Sequence, residues 1–528
     1  MNGIIYGDNN FSLPSHMNFG KYFLDKICTH NNAEALIDAA TKKKITFDEM
    51  ARQITSTVSC LKKLGVKQSD VVAICSENRI EFLITAIAIF YSGAILVCVN
   101  NGYSEDEVVH VLHISRPKYM FMSLSTYNKY YKLLKNLNLI EKFIIFDTIS
   151  MNSEVINFND MPQGSLEINT YKPTEENGGT ALILYSSGTT GLAKAAKISH
   201  RSLIIAVQQP TLSKRNVVML TITPWSSTMG IVILLQELFY GKTIAFLPRF
   251  DEKLYLHAIQ TYKVCILTVA PPTIVTLCKS TIVKDFDISS VEIIYSGGAP
   301  LNSTVIKELK TRFPHIKRVL QGYGMTETTG ALTTEEENMS REGSVGKIVY
   351  GAIIKIVDYE TRKILGPGQF GEVCVKGPIL FDGYIGKDSK DDFDEDGFYK
   401  TGDIAYYDED GFFYIVDRIK ELIKYKAWQV PPSELEGLLM KLPSVKDVGV
   451  VGIPDSLAGE LPTAFIVKQP NMDVKETDII KYINTKVSPW KRLRGGVIFV
   501  KEIPKTGSGK ILRRKLRDMI PKLPASKL

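Results

Sequence analysis

Strand-length runs that are apolar almost throughout, rather than at every second position, recur between Val71 and Gly298: VVAICS (71–76), AILVCV (94–99), KYMFMS (118–123), KFIIFD (142–147), TALILY (180–185), VVMLTI (217–222), KTIAFL (242–247), VCILTV (264–269) and VEIIYSGG (291–298). A strand of this kind has no face to leave in water, so both of its faces must be covered. Helix-like stretches such as YSEDEVVHVLHI (103–114) alternate with the runs and supply that cover. The fold class that follows is α/β, with sheets packed between helices.

The segment FLITAIAIFYSGAILVCV (82–99) is nearly long enough to span a bilayer. Ser92 and Gly93 interrupt it and its second half is rich in β-branched residues, so it reads as a buried helix, a tight turn and a buried strand, with no membrane span. The opening MNGIIYGDNNFSLPSH lacks the basic start and apolar core of a signal peptide. Seven cysteines, an odd number, lie far apart and mostly inside apolar runs, as reduced core residues do. His110 and His113 could share a helix face, but no Cys or carboxylate completes a metal-ligand pattern around them. A net charge of +7 is modest for 528 residues, and no Lys/Arg run is interleaved with aromatics, which excludes a nucleic-acid groove.

From about residue 340 the pattern shortens into pieces rich in Gly, Tyr and Asp, such as GSVGKIVYGAIIKIVD (343–358) and DGFYKTGDIAYYDEDGFFYIVDR (396–418), which mark a β-rich subdomain. After DRIKE (417–421), mixed helix and strand resume in PSELEGLLMKL (432–442), VKDVGVVGI (445–453), PTAFIVK (462–468) and ETDIIKYINTKV (476–487). The expected division is residues 1–417 as a large N-terminal domain, 418–420 as a connection and 421–528 as a small C-terminal domain.

Directly after TALILY, Ser186, Ser187, Gly188, Thr189, Thr190 and Gly191 crowd hydroxyls and glycines together, with Lys194 close behind. Glycines let backbone N–H groups turn toward one point, hydroxyls add donors and the lysine adds charge, so the loop suits a polyanion. It is not a Walker A loop, and TGSGK (506–510) lacks that motif's first glycine and final hydroxyl. A Ser/Thr/Gly linker shares the composition, but linkers rarely leave a buried strand. A second cluster, QGYGMTETTG, joins Gln321, Gly322, Tyr323 and Gly324 to Thr326 and Glu327. An aromatic can stack on a nucleobase, a hydroxyl can reach a phosphate and a hard carboxylate can hold Mg2+. A Gly/Thr turn with a surface glutamate is the plainer reading of that cluster alone. Asp403 in TGD offers a carboxylate for ribose hydroxyls.

In their order, and with SGGAP (296–300), DRIKELIKYKAWQV (417–430) and PKTGSGKILRRKLR (504–517), these pieces resemble the AMP-forming adenylating superfamily of acyl-CoA synthetases and beetle luciferases over almost the whole chain. The C-terminal third is most similar to the branch of firefly-type luciferases and 4-coumarate-CoA-ligase-like enzymes of insects. The resemblance implies two α/β-sheet subdomains and a β-rich one, followed by a mobile α+β lid. It implies that the loop from Ser186 to Lys194 holds the β- and γ-phosphates of ATP, that Gly298, Ala299 and Tyr323 pack around adenine beside Pro300, and that Asp403 accepts the ribose hydroxyls with Arg418 nearby. Thr326 would meet the α-phosphate, Glu327 the Mg2+, and Lys510 would come in from the lid to bridge substrate carboxylate and α-phosphate. The hinge falls on Lys420; a second lid face would offer Lys424 as a further catalytic lysine, with Ala427 and Trp428 beside a CoA tunnel.

Three departures from the family pattern stand out. Ala193 and Ala195 replace the usual Pro and Gly of the phosphate loop, which changes backbone constraint but no donor. In the acid pocket, where the resemblance also places Gly297, Ser226, Ser227, Thr228 and Met229 align with the firefly His-His-Gly-Phe run and Gly330 stands where beetle enzymes carry Ser, so a beetle luciferin should fit poorly. Ala427 replaces a Gly beside the thiol tunnel. The readings left open are a carboxylic acid:CoA ligase for a fatty or aryl acid and a luciferase using O2 and a non-beetle luciferin; a third, a binding protein on an inactive scaffold, is opposed by the joint presence of Lys510, Glu327, Thr326 and Asp403. Ser526, Lys527 and Leu528 form a peroxisomal address for the import receptor. A peroxisomal monomer is expected.

Overall fold

The computed structural model describes residues 3–148, 155–161, 179–186, 193–301, 303–426, 428–455, 457–470, 472–506 and 509–520. The loop residues Ser187, Gly188, Thr189, Thr190 and Gly191, together with Ala427 and Ser526, Lys527 and Leu528, lie outside them.

The apolar runs become the centres of two large sheets. One orders Lys194–Ser199, Thr180–Ser186, Ile95–Cys98, Val71–Cys75, Tyr119–Met122, Lys142–Ile145 and Val155–Asn157 side by side. All its neighbours are parallel except Lys194–Ser199, which returns antiparallel along Thr180–Ser186. The other has a parallel centre of Arg318–Met325, Ile293–Ser296, Ile266–Val269, Val218–Thr221, Thr243–Phe246 and Glu34–Asp38, with antiparallel strands at both ends.

Alternate residues of each strand enter different cores, as the period of two requires. Val72 and Ile74 face a central core, whereas Ala73 and Cys75 face an outer one with the helices Glu105–Ser115 and Leu124–Leu137. Leu36 likewise faces inward and Ile37 outward, toward Glu252–Tyr262 and Pro271–Lys279. Between the sheets lie Phe19–Ile27, Phe47–Leu64, Ile80–Tyr91, His200–Val207 and Thr228–Phe239, so the layers run α, β, α, β, α. Ile80–Tyr91 buries every residue but Glu81, because it lies in this central layer. It ends at Ser92, turns at Gly93 with φ of +68°, and leads into strand Ile95–Cys98. Among the described residues no helix is long and apolar enough to cross a membrane.

The Gly- and Tyr-rich region forms an antiparallel sheet of Ile4–Tyr6, Ile353–Val357, Gly371–Lys376, Tyr399–Tyr407 and Phe413–Arg418. The C-terminal region builds its own sheet from Trp428–Val430, Ile423–Tyr425, Gly459–Lys468, Val445–Asp455 and Val497–Phe499, with a separate apolar core.

Candidate active site

Parallel α/β sheets bind ligands outside the carboxyl ends of their strands. Strands Thr180–Ser186, Val218–Thr221, Ile293–Ser296 and Arg318–Met325 all end at one cavity of about 1510 Å³. Ser186 and Lys194 line it from the first sheet, Ser226, Ser227, Thr228 and Met229 from the loop and helix after Val218–Thr221, and Gly297 and Gly298 from the turn after Ile293–Ser296. Gly322, Tyr323, Gly324, Thr326, Glu327 and Gly330 line its floor, with Arg418, Lys420 and Lys510 across from them.

The glycines of the floor are required by close approach. A Cβ on Gly322 would lie 2.0 Å from the Tyr295 hydroxyl, and one on Gly324 would lie 1.9 Å from the Gly330 carbonyl oxygen. Gly330 itself has φ of +114°, where a side chain would be strained and would press on Val232. The floor can therefore bend under the cavity as no bulkier sequence could.

Three polar networks converge there. The Tyr323 hydroxyl donates to Asp403 Oδ2 at 2.7 Å, and Arg418 Nε pairs with Asp403 Oδ1 at 2.8 Å, across the register in which residues 403 and 418 face one another. Asp403 is 3% exposed, so its charge is met by one cation and one hydroxyl while each oxygen keeps a further lone pair. Thr326 and Thr228 share a hydroxyl hydrogen bond of 2.9 Å, which ties the segment after Trp225 to the Thr/Glu turn. Glu327, also buried, accepts from the Tyr384 hydroxyl at 2.5 Å, and the Lys194 ammonium sits 5.0 Å from the centre of the Tyr384 ring. Burial and the Glu327 charge push the Tyr384 phenol far above its ordinary range, so it stays a donor.

Lys510 enters from the C-terminal sheet's side on a turn closed by Lys510 N–H to Thr506 Oγ1 at 3.1 Å. Burial pushes its ammonium down to about 8, with the nearby Arg418 charge acting in the same direction and Asp403 and Glu421 opposing it. It is half-buried rather than a freely exposed loop lysine, because the turn packs against helix Pro271–Lys279. Gly509 makes this possible: its φ is +85°, and a Cβ there would lie 2.3 Å from Pro272 Cγ. Gly509→Ala is expected to lower any reaction step that needs Lys510 in the cavity by roughly tenfold. A reaction step that does not need that ammonium should be spared, and measuring both kinds of step in this variant checks it.

The remaining expected residues lie elsewhere. Ala299 and Pro300 follow the Gly297–Gly298 turn without lining the cavity. Gln321 is buried behind the floor, its amide donating to the Ser344 carbonyl at 3.2 Å. Lys424 is exposed on strand Ile423–Tyr425, outside the cavity, with its N–H donating to Glu460. Trp428 is exposed and stacks on Trp490 at 4.3 Å, also outside it. This arrangement thus presents Lys510, not Lys424, to the cavity.

Sequence reasoning missed Tyr384 and, apart from Met229, the inner wall. Met229, Val232 and Ile233, at helical spacing on Thr228–Phe239, line the cavity together with the apolar Ala331, Val349 and Ile379, and Gln236 one turn further along also lines it. The period of that helix was readable, but not which of its faces meets a cavity.

The profile of the AMP-binding enzyme family matches residues 24–385, and that of the AMP-binding enzyme C-terminal domain matches residues 434–510. A luciferin 4-monooxygenase of Photuris pensylvanica is 37% identical, covering 98% of this chain and 98% of its own. A probable 4-coumarate–CoA ligase 1 of Dictyostelium discoideum is 35% identical over 92% of both. The solved luciferase-like enzyme from the nonluminescent mealworm Zophobas morio superposes with a TM-score of 0.72 at 31% identity, covering 80% of this chain and all of its own.

Proposed function

The chain belongs to the AMP-binding enzyme family of ATP-using adenylating enzymes, and from that premise we propose that it joins an apolar carboxylic acid to AMP, releases pyrophosphate and passes the acyl group to CoA. The observation that carries this reading is the convergence of Lys194, Thr326, Glu327, Arg418 and Lys510 on one cavity whose inner slot is apolar. A carboxylate is a poor electrophile; as a mixed anhydride with AMP it can be attacked by a thiol.

Each residue has a task in that reaction. Ser186 and Lys194 receive the phosphate tail, and Asp403, held by Tyr323 and Arg418, offers its remaining lone pairs to the ribose. The Thr326 hydroxyl, fixed by Thr228, faces the α-phosphate. Lys510 lines the same cavity as this cluster and feels the nearby Arg418 charge, and there an ammonium would stabilise the charge that develops as the acid displaces pyrophosphate. Among the described residues no group of three or more ligating side chains forms a metal cage. A single carboxylate with one oxygen already bonded suits a Mg2+ that arrives on the phosphates and keeps its waters, and Glu327 would hold it. Bound there, the ion would neutralise phosphate charge.

Met229, Val232, Ile233 and Ile379 favour a fatty or aryl acid over a polar one. The likeness to a probable 4-coumarate–CoA ligase supports CoA as acceptor, and the likeness to the luciferase-like enzyme of a nonluminescent mealworm is a likeness to a protein of an organism that emits no light. The likeness to the Photuris enzyme favours a second reading, in which the same adenylate reacts with O2 and emits light. Incubating the chain with ATP, Mg2+ and a panel of fatty and aryl acids, with CoA or with O2 under a photon counter, separates them. A CoA thioester without light is expected; light with no thioester would favour the second reading and overturn the first.

A further inference from the structure

Tyr384 stands between the two opposite charges on which the phosphate end of this site depends. It lies in the connection between strands Gly371–Lys376 and Tyr399–Tyr407, where a backbone bridge to Ala196 fixes it beside the strand that carries Lys194. The residue is 7% exposed, and its ring packs edge-on against Phe381 at 4.9 Å. Its hydroxyl donates to Glu327 Oε1 at 2.5 Å and lies 3.3 Å from the Tyr399 hydroxyl. The ammonium groups of Lys194 and Lys387 lie 5.0 and 5.3 Å from the ring centre, and Lys387 is also paired with Asp392 at 2.6 Å.

An ammonium resting on one aromatic ring and a carboxylate bonded to the same residue's hydroxyl attract one another and would be satisfied if they met. A Lys194–Glu327 pair would withdraw both from any ligand. The ring prevents it by giving the ammonium an aromatic face to rest on, which costs little to leave when a phosphate arrives. The hydroxyl engages one carboxylate oxygen, and among the described residues no hydrogen bond holds the other. The geometry points to Tyr384 as a positioning residue: its ring keeps Lys194 off Glu327, and its hydroxyl aims Glu327, so that cation and carboxylate stay available to ATP and its metal.

This rests on the reading of Lys194 and Glu327 as ATP-binding groups, and the test keeps the two claims apart. Binding of ATP to the full chain is measured by titration calorimetry, first with EDTA and then with Mg2+. Tyr384→Phe keeps the ring and loses the bond, so metal-free ATP should bind within about twofold of wild type while Mg2+–ATP weakens roughly tenfold. Tyr384→Leu removes the spacer, so metal-free ATP should also weaken roughly tenfold, and adding Glu327→Gln in that background should restore it by releasing Lys194. A merely structural role would not produce that recovery. Unchanged metal-free binding in Tyr384→Leu, or no recovery on adding Glu327→Gln, overturns the spacer. Should the leucine variant fold poorly, Tyr384→Phe decides, and a loss that is not selective for Mg2+–ATP overturns the proposal. If Lys194→Ala and Glu327→Gln each leave ATP binding unchanged in the otherwise wild-type chain, the reading of the site fails instead.

Discussion

Lys510→Ala is expected to lower acid-dependent ATP–pyrophosphate exchange by about 10²–10³-fold, the loss that follows removal of one preorganised donor from a developing negative charge. The side chain reaches the cavity from a turn whose own hydrogen bonds are made by backbone and by Thr506, so the fold should be unaffected. Transfer of a supplied acyl-adenylate to CoA should be largely retained, because that step does not need the ammonium at phosphorus. The same lysine gives a pH signature. Burial and the Arg418 charge hold its pKa at about 8, and only the protonated form can stabilise the leaving pyrophosphate. In wild type, kcat/KM for adenylation should therefore fall as pH rises through about 8, since that parameter reports the free enzyme. Exchange that survives in the alanine variant, or a flat profile across roughly pH 7 to 9, would contradict the role.

Asp403→Ala should have the second-largest effect, and on two measurements at once. The carboxylate is buried, holds the Tyr323 hydroxyl and neutralises Arg418. Its loss leaves a hydroxyl without its acceptor and a partly buried guanidinium without its counter-charge, which together cost about 2–4 kcal/mol of stability. ATP binding should weaken at least roughly tenfold beyond that, because the ribose loses its acceptor and Tyr323 its anchor. Asp403→Asn still accepts the Tyr323 hydroxyl and should sit between the two. Urea midpoints and ATP titrations on both variants check the pair; equal stability for wild type and alanine would mean the network is not formed.

The layers were legible in the sequence because burial on both faces leaves a continuous apolar signature. TALILY and VEIIYSGG fall on strands Thr180–Ser186 and Ile293–Ser296, and the stretch from residue 82 to 99 folds as helix, turn and strand, as its punctuation at Ser92 and Gly93 implies. The glycines and threonines of QGYGMTETTG were legible as a motif. Their partners were not, since Tyr323 finds Asp403 at a separation of 80 residues and Glu327 finds Tyr384 at 57. No local periodicity encodes such pairs; they arise only when the antiparallel sheet of residues 353–418 docks under the parallel one. The half-burial of Lys510 was hidden for a similar reason, because it depends on Gly509 meeting Pro272 from a different part of the chain.

The account stands on one exchange of bonds at phosphorus, and isotope exchange reads it directly. With ATP, Mg2+, labelled pyrophosphate and no CoA, the wild-type chain should move label into ATP only when a suitable apolar acid is present. Label appearing equally with and without every fatty and aryl acid tried, or never appearing although ATP binds, would contradict the claim that this cavity makes acyl-adenylates.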